Sequence, residues 1–129
     1  MMPLENHILV VDDEFLIVEG LCAQIEDCGW KVCGTASTAD TAVALAQEHR
    51  PIIVLMDMRL RVQGDGVDAA LAIHDTVGSK VIFITGSREP ETMKRIQLDH
   101  PSAVLFKPIT FRQLQATIEA AMHAQLPGS

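Results

Sequence analysis

At 129 residues the chain is about one domain long, since domains commonly run to ~100–150 residues, and a 48% hydrophobic content excludes a disordered segment. Aromatic residues make up only 4%, so the core is expected to be aliphatic. A formal charge of −7, a pI near 5.0 and the lack of any basic stripe argue against direct binding of DNA or RNA.

His7-Ile8-Leu9-Val10-Val11 is short and β-branched, which predicts a first strand. From Glu14 to Cys28 apolar residues recur at Phe15, Val18, Leu21, Cys22 and Ile25, a helical period that Gly29 ends. Trp30–Ala36 alternates and reads as a second strand; Thr38–Glu48 reads as an alanine-rich helix closed by Pro51. Ile52-Ile53-Val54-Leu55-Met56 is apolar throughout, the pattern of a central parallel strand covered on both faces. A polar loop to Gly66 precedes a helix to about Thr76, and Lys80–Ile84 is a fourth strand. Pro90 opens a helix to about Leu98, Ala103–Phe106 is a fifth strand, and Thr110 is placed as the N-cap of a last helix to Ala124. Strand and helix alternate five times. The expected fold is therefore α/β, a doubly wound five-stranded parallel sheet of order 2-1-3-4-5, flavodoxin-like (βα)5.

The polar residues fall at strand ends. Asp12-Asp13 follow the first strand, Asp57 the third, Thr85 the fourth and Lys107 the fifth. Ligands of an open parallel sheet bind outside the carboxyl ends of its strands, where the strand order reverses. Any one of these residues alone is an ordinary cap or loop residue, but all of them belong to one edge. Converging carboxylates repel one another unless a cation intervenes. Hard oxygen donors at a shallow site suit Mg²⁺ (or Mn²⁺), and a lysine adds a mobile charge for phosphate. The expected chemistry has Asp57 as nucleophile, with Lys107 and Thr85 holding phosphoryl oxygens.

Four stretches carry a family likeness: Ile8-Leu9-Val10-Val11-Asp12-Asp13-Glu14, Val54-Leu55-Met56-Asp57-Met58, Phe83-Ile84-Thr85-Gly86 and Leu105-Phe106-Lys107-Pro108. Together, with Asp65-Gly66 before the third helix, they resemble the response-regulator receiver domain of two-component signalling, over about residues 6–125. The resemblance implies that Asp57 is the phosphoacceptor and Asp13 a direct Mg²⁺ ligand. It further implies that Asp12 holds a metal-bound water, that the backbone carbonyl of Arg59 completes the set, and that the Lys107–Pro108 bond is cis. Thr85 is the implied switch hydroxyl and Lys107 the phosphate-binding lysine. Gly86 is read as leaving room for the phosphoryl group or as serving a turn. Residues 1–5 and 126–129 are expected to be tails, with no output domain, so that the chain is a free-standing, cytoplasmic receiver rather than a turnover enzyme.

The implied donor is a sensor histidine kinase or a histidine phosphotransfer protein. The output is an unidentified protein bound through the face made by the fourth helix, fifth strand and fifth helix, with a phosphorylation-dependent dimer as a further possibility. Arg88, Met93, Arg95, Val104 and Arg112 are candidate contacts. Three departures from the family pattern stand out. Val104 occupies the place of a switch aromatic, and strand alternation is expected to turn Phe106 to the other face, so output is expected to rest on Thr85, its following loop and the helix from Pro90. The loop after Asp57 lacks the usual proline and carries Arg59 and Arg61, and Arg59 and Ser87 flank the phosphoryl position. The chain also stops at Ser129.

Other readings compete. A phosphorylation-independent scaffold would leave the acidic pocket vestigial, against the full residue set. A phosphohydrolase of the haloacid-dehalogenase type would need Asp-x-Asp after the first strand, where Asp12-Asp13-Glu14 stands. A flavodoxin-like cofactor protein would need hydroxyls in that loop. Cys22, Cys28 and Cys33 fit no metal spacing and read as small buried hydrophobes in a reducing compartment. The five histidines are scattered, and neither a signal peptide nor an apolar run of membrane-spanning length is present.

Overall fold

The computed structural model describes residues 4–58, 60, 66–86, 89–98 and 101–123, with side chains from residue 7 onward. The elements are β1 (Leu4–Val11), α1 (Phe15–Asp27), β2 (Lys31–Ala36), α2 (Ala39–His49), β3 (Pro51–Asp57), α3 (Gly66–Thr76), β4 (Lys80–Thr85), α4 (Pro90–Gln97), β5 (Ala103–Phe106) and α5 (Phe111–His123). The five strands are parallel, in the order β2-β1-β3-β4-β5. That is the flavodoxin-like order expected from the alternation.

Side-chain alternation divides the core in two. Leu9, Val11, Val54, Met56, Val81 and Phe83 meet α2, α3 and α4 on one face. Ile8, Val10, Ile53, Leu55, Ile82, Ile84 and Leu105 meet α1 and α5 on the other. The uniform apolarity of β3 follows, since both its faces are covered. Phe83 is the largest fully buried side chain, so the core is otherwise aliphatic.

Local chemistry sets the element ends. Gly29 takes φ 91°, and its N–H and that of Trp30 donate to the Glu26 and Ile25 carbonyls at 3.0 and 3.3 Å, closing α1. Thr38 Oγ1 accepts from the Thr41 N–H and caps α2. Thr110 Oγ1 accepts from Gln113 N at 3.1 Å while Gln113 Oε1 accepts from Thr110 N at 3.0 Å, a reciprocal box that starts α5. Thr110→Ala should cost about 1 kcal/mol in a denaturant titration without shifting the m-value.

Three expectations need correction. β1 begins at Leu4, whose partner in the ladder is Pro51, so residues 4 and 5 belong to the sheet rather than to a tail. Proline is tolerated at the first residue of a strand, and the buried Ser79 hydroxyl anchors the Pro51 carbonyl at 2.6 Å. Phe15, counted with the apolar face of α1, is 71% exposed because it starts the helix beyond the sheet edge, and the adjacent Leu16 is 80% exposed. The cysteines are half-buried rather than buried, and all three are free thiols. Burial raises the thiols of Cys22 and Cys33, with Glu26 and Glu19 adding to the effect at Cys22, which keeps both protonated and inert.

Candidate functional site

Main-chain bonds extend the ladder one residue beyond β1, β3 and β5, and so fix where the polar residues emerge. Asp12 N donates to Ala36 O at 3.0 Å, Met58 N to Ile84 O at 3.0 Å, and Lys107 N to Thr85 O at 2.9 Å. The carboxyl ends of β1, β3, β4 and β5 are thereby held as one rim. Asp12, Asp57 and Lys107 continue the alternation of Val10, Leu55 and Leu105, so all three project on the α1/α5 side.

Asp12, Asp13 and Asp57 each offer an oxygen within 4.8 Å of the others. Asp12 Oδ1 accepts the Glu14 N–H at 2.9 Å, whereas its Oδ2 is buried and accepts no hydrogen bond among the described residues. Lys107 Nζ lies 3.5 Å from Asp12 Oδ2, 3.6 Å from Asp57 Oδ1 and 3.7 Å from Glu14 Oε1. The side chains of Asp12 and Asp57 are 1% and 7% exposed, that of Lys107 24% and that of Glu14 56%. Burial disfavours the ammonium, but the carboxylates of Asp57, Asp12 and Glu14 outweigh it and hold Lys107 above the ordinary lysine value of 10.5. The lysine is therefore charged throughout the neutral range.

The donor set suits Mg²⁺ on chemical grounds. Three hard oxygens converge, and among the described residues the buried Asp12 Oδ2 is met by no donor nearer than the Lys107 ammonium at 3.5 Å, a disposition that a divalent cation relieves. Among the described residues, a single ammonium stands against three clustered acids and Glu14.

Thr85 is buried at the end of β4, one step past the Asp57–Ile84 pair, and lies opposite Phe106 in the ladder. Gly86 is exposed, takes no positive φ, and a Cβ there would meet nothing within 4 Å, which removes the turn requirement. The Lys107–Pro108 peptide bond is cis. Val104 packs against the α2–α4 face while Ala103 and Leu105 pack on the α1/α5 face. Phe106 therefore returns to the face of Val104, beside Thr85, and not to the other face as expected, because residues two apart on a strand point the same way. Of the candidate contacts, Met93 is packed against the core, Arg95 pairs with Asp68 of α3 at 3.0 Å, and Arg112 is exposed. The roles assigned to Arg59, Arg61, Asp65, Ser87 and Arg88 fall outside the described residues.

Sequence reasoning named two residues without giving them a role. Glu14 joins the Lys107 cluster. Gly66, the first residue of α3, packs so closely on β3 that an added Cβ would lie 2.3 Å from the Asp57 carbonyl oxygen. A glycine at a helix start was the available signal, but the close approach is a tertiary fact.

Leu16, Ile17, Gly20, Lys107 and Pro108 line a cleft of about 500 Å³ beside the rim. Among the described residues no helix is long and apolar enough to cross a membrane.

The chain resembles known proteins over nearly all its length. It is 30% identical over 117 residues to the transcriptional regulatory protein PdtaR of Mycobacterium tuberculosis, covering 91% of this chain and 57% of that protein. It is 33% identical over 123 residues to the phyllosphere-induced regulator PhyR of Methylorubrum extorquens, covering 95% of this chain and 45% of that one. The chain thus spans about half the length of these curated relatives. The crystal structure of the signal receiver domain of a modulated diguanylate cyclase from Desulfovibrio desulfuricans G20 superposes with a TM-score of 0.86 at 33% identity, covering 95% of both chains. The family model for the response regulator receiver domain matches residues 8–119, and with the parallel sheet and its acidic rim this places the chain in the response regulator receiver domain family.

Proposed function

We propose that the domain accepts a phosphoryl group on Asp57 from a phosphohistidine and thereby changes which protein it binds. The observation that carries this is the convergence of Asp12, Asp13 and Asp57 within 4.8 Å, with the Lys107 ammonium 3.6 Å from Asp57. An Asp57 oxygen attacks phosphorus, the new O–P bond forms as the N–P bond breaks, and the electron pair leaves on the imidazole nitrogen of the donor. Lys107 and the Thr85 hydroxyl then hold phosphoryl oxygens. Asp13 and Asp57 would ligate Mg²⁺ (or Mn²⁺), with Asp12 acting through a water and the Arg59 carbonyl completing the set. When bound, the cation supplies positive charge that offsets the phosphoryl oxygens.

A sensor histidine kinase or histidine phosphotransfer protein is the proposed donor, and the cleft along α1 offers it an apolar surface that reaches Lys107. The output face is α4, β5 and α5. α4 is tied down by one fully buried residue, Ile96, so it is the element most easily displaced by a change at Thr85. The Phe106 ring, on the side of Thr85 and only half-buried, lies on that route.

Incubation with Mg²⁺ and acetyl phosphate or phosphoramidate should add one phosphoryl mass to the intact protein. Asp57→Asn, or chelation of the metal, should abolish the addition. Wild-type protein that gains no mass under these conditions would refute the switch and leave the scaffold reading.

A further inference from the structure

Glu14 precedes α1 in the N-cap position, yet its side chain makes no capping hydrogen bond. Glutamate is also not among the residues favoured there, which are Asn, Asp, Ser and Thr. Its main chain is fully used, since the N–H donates to Asp12 Oδ1 at 2.9 Å and the carbonyl accepts from Val18 N at 3.0 Å. The carboxylate instead reaches across to β5, with Oε1 3.7 Å from Lys107 Nζ. Lys107 is thus shared by two buried acids on its inner side and one exposed acid on its outer side.

We propose that Glu14 is a positioning residue that competes with the incoming phosphoryl group for Lys107. This rests on the reading of Asp57 as phosphoacceptor. A phosphoryl group arrives with negative charge and needs the lysine's donors on its own oxygens. Glu14 acts against it twice, by holding the ammonium toward solvent and by adding a like charge at the entrance. The buried acids cannot be removed without losing the metal and the nucleophile. Glu14 lies outside the cluster of Asp12, Asp13 and Asp57 and forms no bond to phosphorus, so it sets the strength of the site without being part of its chemistry.

The test is a comparison of wild-type protein with Glu14→Gln, at saturating Mg²⁺. The readouts are the rate of labelling by phosphoramidate and the affinity for beryllofluoride, an acyl-phosphate mimic. An exposed ion pair is worth a few-fold in an equilibrium, so Glu14→Gln should label about two- to five-fold faster and bind beryllofluoride more tightly by a similar factor. Glu14→Asp, which keeps the charge, should stay near wild type. The advantage should shrink as salt is raised, because the pair is solvent-exposed. In a Lys107→Met background the effect of Glu14→Gln should shrink to the part that comes from like charge at the entrance alone. Equal or slower labelling by Glu14→Gln, or an undiminished effect in the Lys107→Met background, would overturn the role of Glu14. The absence of any labelling of wild-type protein would instead sink the phosphoacceptor reading beneath it.

Discussion

Gly66→Ala should destabilise the domain by about 3 kcal/mol, lower its melting temperature by roughly 10 °C and slow the proposed phosphoryl acceptance at Asp57. A Cβ at residue 66 would lie 2.3 Å from the Asp57 carbonyl oxygen, 3.1 Å from the Asp57 carbonyl carbon and 3.0 Å from Met56 Cγ. Two of these are backbone atoms of a central strand with no room to retreat. Gly66 N donates to Met58 O at 3.0 Å and Met58 N donates to Ile84 O at 3.0 Å, so α3, β3 and β4 are stapled at one point. The clash must therefore move the end of β3, which carries the Asp57 side chain toward the acidic rim. Helix propensity favours alanine by at most about 1 kcal/mol and does not offset an overlap with main chain. Gly20→Ala is the matched control. Gly20 lies within α1, where an added Cβ meets nothing within 4 Å, so the same change should be neutral or stabilising by up to about 1 kcal/mol. If Gly66→Ala melts and labels like wild type, the close approach is not what holds Asp57 in place.

The contrast between these glycines shows where sequence reasoning runs out. The sequence puts Gly66 at a helix start and Gly20 inside a helix, but only the packing of α3 on β3 shows that the first has no room for a side chain. What a strand displays along its own length is legible. The apolar run before Asp57 reads as a doubly covered strand because every position must face some core, and the structure covers both its faces. The acidic rim is legible for the same reason, since a charge directly after such a run has only the sheet edge to occupy. Relations across elements are not. Phe15 fits a helical period but lies past the sheet edge, and Leu4 joins the sheet only because Pro51 lies alongside it. Glu14 reads only as the start of a helical period, and its reach to Lys107 depends on how α1 meets the end of β5. The face of Phe106 was within reach of the pattern alone, since counting two residues from Val104 places it correctly.

In metal-free buffer Asp13→Asn should raise the melting temperature, whereas in Mg²⁺ it should remove the stabilisation that the wild type gains. Two unit charges 4.8 Å apart repel by about 3 kcal/mol at an effective dielectric near 20. The ion pairs described for Lys107 run to Asp12, Asp57 and Glu14, so they offset part of this cost at the buried acids. Asp13 is half-buried and has a polar interaction of its own, so solvent screening and that interaction together leave at most about 1 kcal/mol to be recovered by neutralising it. The folded protein therefore holds a repulsion that its proposed cation relieves, and binding linkage converts that relief into a melting temperature that rises with Mg²⁺. Asparagine keeps the size and one oxygen of Asp13 but not its charge, so Mg²⁺ affinity should fall at least tenfold, about 1.4 kcal/mol. Thermal melts of both proteins across a Mg²⁺ titration, with chelator as the starting point, measure both effects at once. The two curves should cross, the variant being more stable without metal and the wild type more stable with it. A variant less stable than wild type even in chelator would mean that Asp13 is held by contacts stronger than the repulsion it suffers. The acidic rim would then be a settled part of the fold rather than a site waiting for a cation.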